Sequence, residues 1–313
     1  MERMHQAMRR IATLLGLLLG LAASGWALSS VAAPRLATFD FALGETLNAL
    51  GHPPVAQAGL DGYQHYARQT GIFPPETANL GGRFQPNFEY LASQKPDAIL
   101  ISPPAHTNLI PKLTPIAPVE TFRLYHFAET APDDWLTIEN MTRALGRRVQ
   151  DPHAAQQLIM QTQQQMDQLK AQVAAVKSPL LLVRLIDERH LRIFGPGSLE
   201  GMVLKRLGLT NAWTKPLGRW GFVQTTADQV FQLNARLILL ESPYVETGLQ
   251  QQLLSQGVWQ YWASAQRGDH RVVPINFWSW GGLPSAQRFA TGLVQALKRP
   301  SKAMNQRSEE ATE

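Results

Sequence analysis

Cysteine is absent from this chain of 313 residues. Its absence excludes a disulfide framework, a zinc site built on thiolates and a cysteine nucleophile. Histidine is scattered, at positions 5, 52, 65, 106, 126, 153, 190 and 270, with no paired spacing. A receptor for a bare metal ion needs three or four converging histidine or carboxylate ligands. This pattern disfavours such a receptor.

Charge is also sparse. Charged residues make up 17% of the chain, and the formal net charge is +5. Arg3, Arg9, Arg10 and Glu2 contribute +2 of that before Ala33, which leaves +3 (5 − 2) for the remainder. No run rich in lysine or arginine follows, so we expect no nucleic-acid partner.

The apolar run Ile11 to Ala23 is too short for a membrane span. It contains about 13 residues, whereas a spanning helix needs about 20. Arg9 and Arg10 precede it and small residues occupy positions 30 to 33, which is typical of a secretory signal peptide. We expect residues 1–32 to be removed, leaving a soluble monomer in the periplasm. The arginine pair leaves both general secretory and twin-arginine export open.

One long helix is predicted from Asp151 to Lys177. Asp151 can cap the first turn, and Pro152 occupies the first helical position, where a missing N–H costs nothing. No glycine or proline follows until Pro179, and apolar residues recur at spacings of three and four. About 27 residues span roughly 40 Å, which is long enough to join two domains.

Strand and helix patterns alternate on both sides of this helix, which favours a parallel α/β sheet on each side. A faint repeat at an offset of 139 residues relates Asn87–Leu100 to Thr226–Leu239 and suggests two similar lobes. We therefore predict an N-terminal α/β lobe (33–150), the connecting helix (151–177), a C-terminal α/β lobe (178–299) and a disordered polar tail (300–313). The ligand cleft is expected between the lobes.

Several segments resemble one known family. They are Arg83–Leu91 with Lys95–Leu100, Arg184–Leu199, Gly208–Trp213, Trp220-Gly followed by Asp228, and Phe277–Gly281. Together they resemble the periplasmic ferric-hydroxamate-binding proteins, and the resemblance extends from Pro34 to about Leu297. It implies two lobes on one backbone helix, no enzymatic activity and no cofactor. It also implies that the ligand is an iron(III) siderophore, which an inner-membrane ABC permease receives.

The chemistry of such a ligand fits particular residues. A ferric hydroxamate is bulky and partly apolar, so its site needs aromatic walls and a few fixed donors. We expect Trp220, Trp278 and Trp280 to form walls, and Arg83 to donate to the hydroxamate oxygens. Tyr66 falls where the family carries a large aromatic residue.

One segment departs from the family pattern. The family has a tyrosine donor after the first-lobe strand, whereas this chain reads Ser102-Pro-Pro-Ala-His106 there. Ala105 falls at the tyrosine position, and His106 is the alternative donor. For the permease, Asp228 is the expected acidic contact of the second lobe. The matching first-lobe stretch, 109–113, contains no acid.

Other functions remain as alternatives. Gly195–Gly201 superficially resembles a nucleophile elbow, but Pro196 replaces the first glycine of the motif, and Ser198 is better interpreted as a helix cap. A hydrolase is therefore disfavoured. A cobalamin or haem receptor of the same fold is the main alternative.

Overall fold

The computed structural model describes residues 33–68, 71–124, 134–218, 220–244 and 246–299. The predicted signal peptide (1–32) and the predicted tail (300–313) lie outside the described residues. Within the described ranges, no helix combines the length and the apolar character needed to cross a membrane.

The first sheet is parallel because short apolar strands alternate with helices. Its strands are β1 (Leu36–Thr38), β2 (Ala56–Gln57), β3 (Ala78–Asn79), β4 (Ala98–Ile101) and β5 (Val119–Thr121). The helices between them are α1 (Phe41–Ala49), α2 (Leu60–Tyr66), α3 (Phe88–Ser93) and α4 (Ile110–Leu113). The strand order is β3-β2-β1-β4-β5, and each pair is parallel. The carboxyl ends of β1, β3 and β4 share one edge, where open α/β sheets bind ligands.

Two helices follow the first sheet: α5 (Asp134–Arg148) and the long α6 (Pro152–Gln172). Asp151 caps α6 as predicted, because its Oδ1 accepts a hydrogen bond from the N–H of Ala154 at 2.9 Å. The helix ends at Gln172, earlier than the predicted Lys177. Val173 has φ −113°, and its N–H donates to Lys170 one residue closer than in an α-helix. Val173 is nevertheless buried, so the apolar stripe continues past the helix end.

The second sheet is mixed. Its strands are β6 (Leu180–Leu185), β7 (His190–Phe194), β8 (Phe222–Thr226), β9 (Arg236–Glu241) and β10 (His270–Pro274). The helices are α7 (Leu199–Arg206), α8 (Leu249–Leu254), α9 (Ala263–Gln266) and α10 (Leu283–Lys298). β6 pairs with β9, and β9 with β10, in parallel, but β6, β7 and β8 are antiparallel neighbours.

The prediction of a parallel sheet is therefore wrong for the second lobe. The segment 186–189 between β6 and β7 is too short for a crossover, which needs a dozen or more residues, and it permits only a hairpin. The two strands of the predicted repeat, β4 and β9, do occupy matching places, since each lies parallel to the first strand of its own sheet. The fold is thus two similar α/β lobes with one long helix between them in the chain.

One apolar core runs through both lobes. It includes Leu47 of α1, Leu158 of α6, Leu182 of β6 and Phe289 of α10. Full burial of such a side chain contributes about 1.5–3 kcal/mol, and moving one lobe against the other would expose part of this surface. The described residues from Pro34 onward accordingly belong to one compact unit. The lobe boundaries 33–150 and 178–299 stay a prediction.

A buried ion pair also connects α1 of the first lobe to α10. The Glu45 side chain, which is 1% exposed, accepts hydrogen bonds from Arg288 Nη2 at 2.5 Å, the Gly282 N–H at 2.7 Å and Ser285 Oγ at 2.8 Å. The Tyr63 hydroxyl is a further donor to it. Burial alone would lower the pKa of Arg288, but the Glu45 carboxylate outweighs this effect and the pKa is raised. The charged form of Arg288 is therefore favoured in this pair.

Arg288→Ala should lower the free energy of unfolding by about 3 kcal/mol, because Glu45 would remain as a buried carboxylate without its cation. The double variant Glu45→Leu, Arg288→Met should recover at least half of that loss, since no charge is left unpaired. Arg143→Ala is the control: it breaks a more exposed pair with Glu139 and should cost no more than about 1 kcal/mol. Urea denaturation measures all three. Equal effects of Arg288→Ala and Arg143→Ala would contradict the assignment.

Candidate ligand-binding site

A cavity of about 420 Å³ lies at the carboxyl edge of the first sheet and is closed on its other side by the second lobe. The first lobe contributes Asp40, Arg83, Phe84, Leu124 and the segment 102–105. The second lobe contributes Arg192, Trp220, Phe222, Trp278 and Trp280. Most of this surface is aromatic or apolar, and the charged groups are few. Such a lining suits a bulky organic ligand.

Arg83 is held rigidly in the first-lobe wall. Its Nε donates to the Phe39 carbonyl at 3.0 Å, and its guanidinium lies 4.3 Å from the centre of the Phe41 ring. Nη2 is 3.7 Å from Asp40 Oδ2. The arginine stem passes Gly59, where any Cβ would come within 2.5 Å of it. Burial, opposed by Asp40, lowers the pKa of Arg83.

Asp40 ties this arginine to the backbone. Its Oδ1 accepts hydrogen bonds from the N–H groups of Ala42 and Leu43, at 2.8 and 3.3 Å, and so caps α1. Burial raises its pKa, while Arg83 and the two N–H donors lower it. The Asp40–Arg83 pair therefore gives the cavity a hydrogen-bond donor in a fixed position, and the pair as a whole has little net charge.

The predicted tryptophans form the second-lobe wall, and the Trp278 ring centre lies 5.2 Å from the Arg83 guanidinium. Trp278 and Trp280 have ring centres 4.8 Å apart, and Trp278 also meets Phe41 edge-on at 5.0 Å. Trp280 Nε1 donates to the Trp220 carbonyl at 2.9 Å, which joins two separate loops. Trp220 remains 43% exposed at the rim. Aromatic groups fixed in this way offer a large contact area that needs little ordering on binding.

Five wall residues were missed by the sequence analysis: Asp40, Phe84, Leu124, Arg192 and Phe222. Phe84 stacks on His106 with ring centres 5.2 Å apart. Arg192 lies on β7 between Leu191 and Ile193, which are fully buried in the core of the second lobe. A strand alternates its faces, so Arg192 must point to the other side. This alternation along the strand could have identified Arg192 from the sequence as a residue on the face opposite the core.

The structure does not bring the other predicted residues to the cavity wall. Tyr66 stands behind it, edge-on to Trp278 at 5.0 Å, and burial raises its pKa. His106 is 1% exposed, and neither ring nitrogen has a hydrogen-bond partner among the described residues. Burial, with Arg83 nearby, lowers the pKa of His106 to about 3, so the ring is neutral at physiological pH. Ala105 lines the cavity instead.

Asp228 lies on the surface, away from the cavity. It is exposed in the turn after β8, where its carboxylate accepts hydrogen bonds from Thr226 Oγ1 and, at 2.8 Å, from Gln229 Nε2. These bonds, the Thr226 bond foremost, lower its pKa. Asp228 is thus a fixed surface carboxylate.

Ser198 is a helix cap, as the sequence analysis interprets it. Its Oγ accepts from the Gly201 N–H at 3.0 Å and lies 2.8 Å from the Gly195 carbonyl, to which it donates. No histidine takes part in these contacts. Across the described ranges, no group of three or more histidine, aspartate or glutamate side chains is arranged to hold a metal ion.

Glu200 is a buried carboxyl group beneath the tryptophan wall. It is fully buried, and neither oxygen has hydrogen-bond geometry to a described neighbour, although the hydroxyls of Ser198 and Ser279 lie close enough to favour the charged form. Burial raises its pKa from 4.5 to about 7, and these hydroxyls and Arg184 lower it only in part. The folded protein therefore prefers the protonated form of Glu200 below about pH 7.

Because the pKa of Glu200 is raised on folding, the wild type should lose stability as the pH rises from about 4.5 to about 7. At about 1.36 kcal/mol for each pH unit, this loss is on the order of 3 kcal/mol. Glu200→Gln removes the ionisation, so urea denaturation should show the variant gaining on the wild type between pH 5 and pH 8. A constant difference between the two proteins across this range would contradict the prediction.

Comparison with known proteins agrees with this architecture. A family model described as periplasmic binding protein matches residues 36–273. The iron(3+)-hydroxamate-binding protein FhuD of Escherichia coli is 25% identical over 84% of this chain and 86% of its own. The achromobactin-binding periplasmic protein of Dickeya dadantii is 28% identical, over 65% of this chain and 66% of its own.

Two solved structures share the fold. FhuD of Vibrio cholerae bound to Fe³⁺–Desferal superposes with a TM-score of 0.75 at 22% identity, covering 85% of this chain and 98% of that one. BauB bound to ferric iron and two molecules of acinetobactin has a TM-score of 0.64 at 18% identity, covering 85% and 93%. The family model spans most of the chain, and the relatives are substrate-binding proteins, not enzymes. The chain therefore belongs to the periplasmic binding protein family.

Proposed function

We propose that this protein is the periplasmic receptor of an iron(III)-siderophore importer. It binds the iron complex in the cavity between its lobes and delivers it to an ABC permease in the inner membrane. The observation that carries the proposal is one positioned arginine, Arg83, facing a wall made by Trp220, Trp278 and Trp280. The relatives named for iron hydroxamate and achromobactin support the same use.

The cavity lining suits a large complex in which polar oxygens surround a central metal ion. Tryptophan faces contact the organic shell, and the Arg83 guanidinium, which lines the cavity, donates to oxygens that carry local negative charge. The Phe39 carbonyl and the Phe41 ring fix the guanidinium plane before the ligand arrives. Little ordering is then needed on binding, which favours affinity.

Among siderophores, we favour ferric hydroxamates. Their oxygens suit a planar donor such as Arg83, and their alkyl chains suit the aromatic walls. Achromobactin and acinetobactin, which relatives bind, define the competing siderophore classes. Iron is the cargo here, held by the siderophore rather than by protein ligands.

Delivery requires a surface that the permease recognises. We propose that Asp228 supplies one acidic contact, since its carboxylate is exposed and held by Thr226 and Gln229. A fixed carboxylate suits the bidentate geometry of an arginine on a partner. The segment 1–32 would direct the chain to the periplasm, and residues 151–177 would join the lobes 33–150 and 178–299.

Titration of the mature protein should show strong quenching of tryptophan emission by ferric hydroxamates. The panel should also contain ferric catecholates, ferric carboxylates, haem, cobalamin and free iron. Arg83→Ala should weaken binding of the best ligand by about 1.5–3 kcal/mol, because a charge-assisted hydrogen bond is lost. Arg83→Lys should recover only part of this loss, since it keeps the charge without the planar fork.

The matched control is Arg189→Ala, which removes an exposed arginine outside the cavity. Far-ultraviolet circular dichroism must show that both Arg83 variants fold, because Asp40 loses a neighbour in them. Tightest binding of haem or cobalamin would replace the siderophore assignment. Unchanged affinity in Arg83→Ala would place the ligand elsewhere.

Asp228→Asn should leave the dissociation constant for the iron complex unchanged, because Asp228 does not line the cavity. Uptake of the ⁵⁵Fe-loaded siderophore by cells that carry the matching permease should fall at least about threefold if one charge-assisted contact is lost. Lys215→Gln, which removes a nearby surface charge, serves as the comparison. Normal uptake by Asp228→Asn would exclude this residue as a permease contact.

A further inference from the structure

Arg192 is a second cavity arginine, and it lacks the partners that Arg83 has. Its guanidinium lies 3.9 Å from the centre of the Phe222 ring, on the second-lobe wall. Its Nε is buried and has no hydrogen-bond partner among the described residues. Within the same ranges, no carboxylate lies within ion-pair distance of it. This contrasts with Arg83, which meets a carbonyl and Asp40.

The surroundings of Arg192 place a second positive charge at the same wall. Arg184 is its direct neighbour across the β6–β7 pair, so two guanidinium groups start from adjacent positions of one sheet face. Burial, followed by repulsion from Arg184, lowers the pKa of Arg192. Glu200, the acid whose charge interacts with Arg184, has its pKa raised by burial to about 7, so only part of its population is ionised at physiological pH. The second-lobe wall therefore carries positive charge that Glu200 offsets only in part.

Arg192 is half-buried, and removing part of a cation from water is costly unless an anion or several hydrogen bonds compensate it. The only acid on the cavity wall within the described residues is Asp40, which caps α1 and lies beside Arg83. With no described carboxylate within ion-pair distance, the Arg192 guanidinium is available to an anionic group of the ligand. A neutral ferric trishydroxamate offers dipolar oxygens, whereas a complex with net negative charge offers a full charge at this wall.

We infer that Arg192 sets the charge selectivity of the site: the receptor prefers ferric hydroxamates with a net negative charge, such as those with a free carboxylate, over neutral ones of similar size. This rests on the proposed siderophore function. Arg83 binds the hydroxamate oxygens that both kinds of complex share, and Arg192 binds the additional anionic group. The aromatic contact with Phe222 holds the guanidinium in place until that group binds.

The test compares two iron complexes by fluorescence titration: a neutral ferric trishydroxamate and an anionic ferric dihydroxamate with a carboxylate arm. The wild type should bind the anionic complex at least about tenfold more tightly, as expected for one charge-assisted contact of roughly 1.5 kcal/mol. In Arg192→Gln, this ratio should fall to about twofold or less, with the affinity for the neutral complex changed less than about threefold. Raising the salt concentration should reduce the ratio in the wild type only.

Arg189→Gln is the matched control, since it removes the same charge from the same hairpin at an exposed position. It should keep the wild-type ratio. Arg192→Lys, which preserves the charge, should keep most of it even if Arg192→Gln folds poorly. The inference would be overturned if Arg192→Gln lost affinity equally for both complexes, or if the wild type did not prefer the anionic complex. If neither complex binds the wild type, it is the siderophore function itself that fails.

Discussion

The Glu45–Arg288 ion pair is the contact on which the geometry of the site depends. It joins α1, which begins beside Asp40 on one wall, to α10, which begins just after Trp280 on the other. Ser285 donates to Glu45 and also accepts from the backbone N–H of Trp278 at 3.0 Å. A carboxylate of the first lobe therefore helps to position an aromatic wall of the second. Together with the continuous core, it makes the distance across the cavity a property of the folded chain.

Two parts of the cavity wall, Arg83 and the tryptophans, are held by contacts within the protein, whereas Arg192 has fewer such contacts. Arg83 is held by one hydrogen bond to the Phe39 carbonyl and by Asp40, while the tryptophan wall is held by ring contacts and by the hydrogen bond from Trp280 to Trp220. Among the described residues, Arg192 is held by its ring contact with Phe222, and its Nε has no hydrogen-bond partner. The two arginines thus differ: Arg83 has a carbonyl and a carboxylate as partners, whereas Arg192 has no described carboxylate within ion-pair distance. Under the proposed function, this difference would let one cavity accept a class of iron complexes and still distinguish among them.

Much of this arrangement was predictable from local sequence. Asp151-Pro152 fixed the start of α6, and the loop positions of Trp278 and Trp280 favoured a wall. Arg192 was missed because an arginine on a strand is usually solvated. Its place in the wall can be inferred only from its position on the strand face opposite the core. His106 was expected to be a donor, yet its burial under Phe84 depends on contacts between distant segments, which a lone loop histidine does not reveal. The β6–β7 hairpin required attention to the length of segment 186–189 rather than to its apolar pattern.

The most direct test of the account is the position of the iron. A crystal of the mature protein grown with the ferric hydroxamate that it binds best would locate the metal by anomalous scattering at the iron absorption edge. The account predicts a single strong peak in the cavity between Arg83 and Trp280, with siderophore oxygens and no protein atoms around the metal. A peak outside that cavity, or iron bound directly by protein side chains, would contradict it.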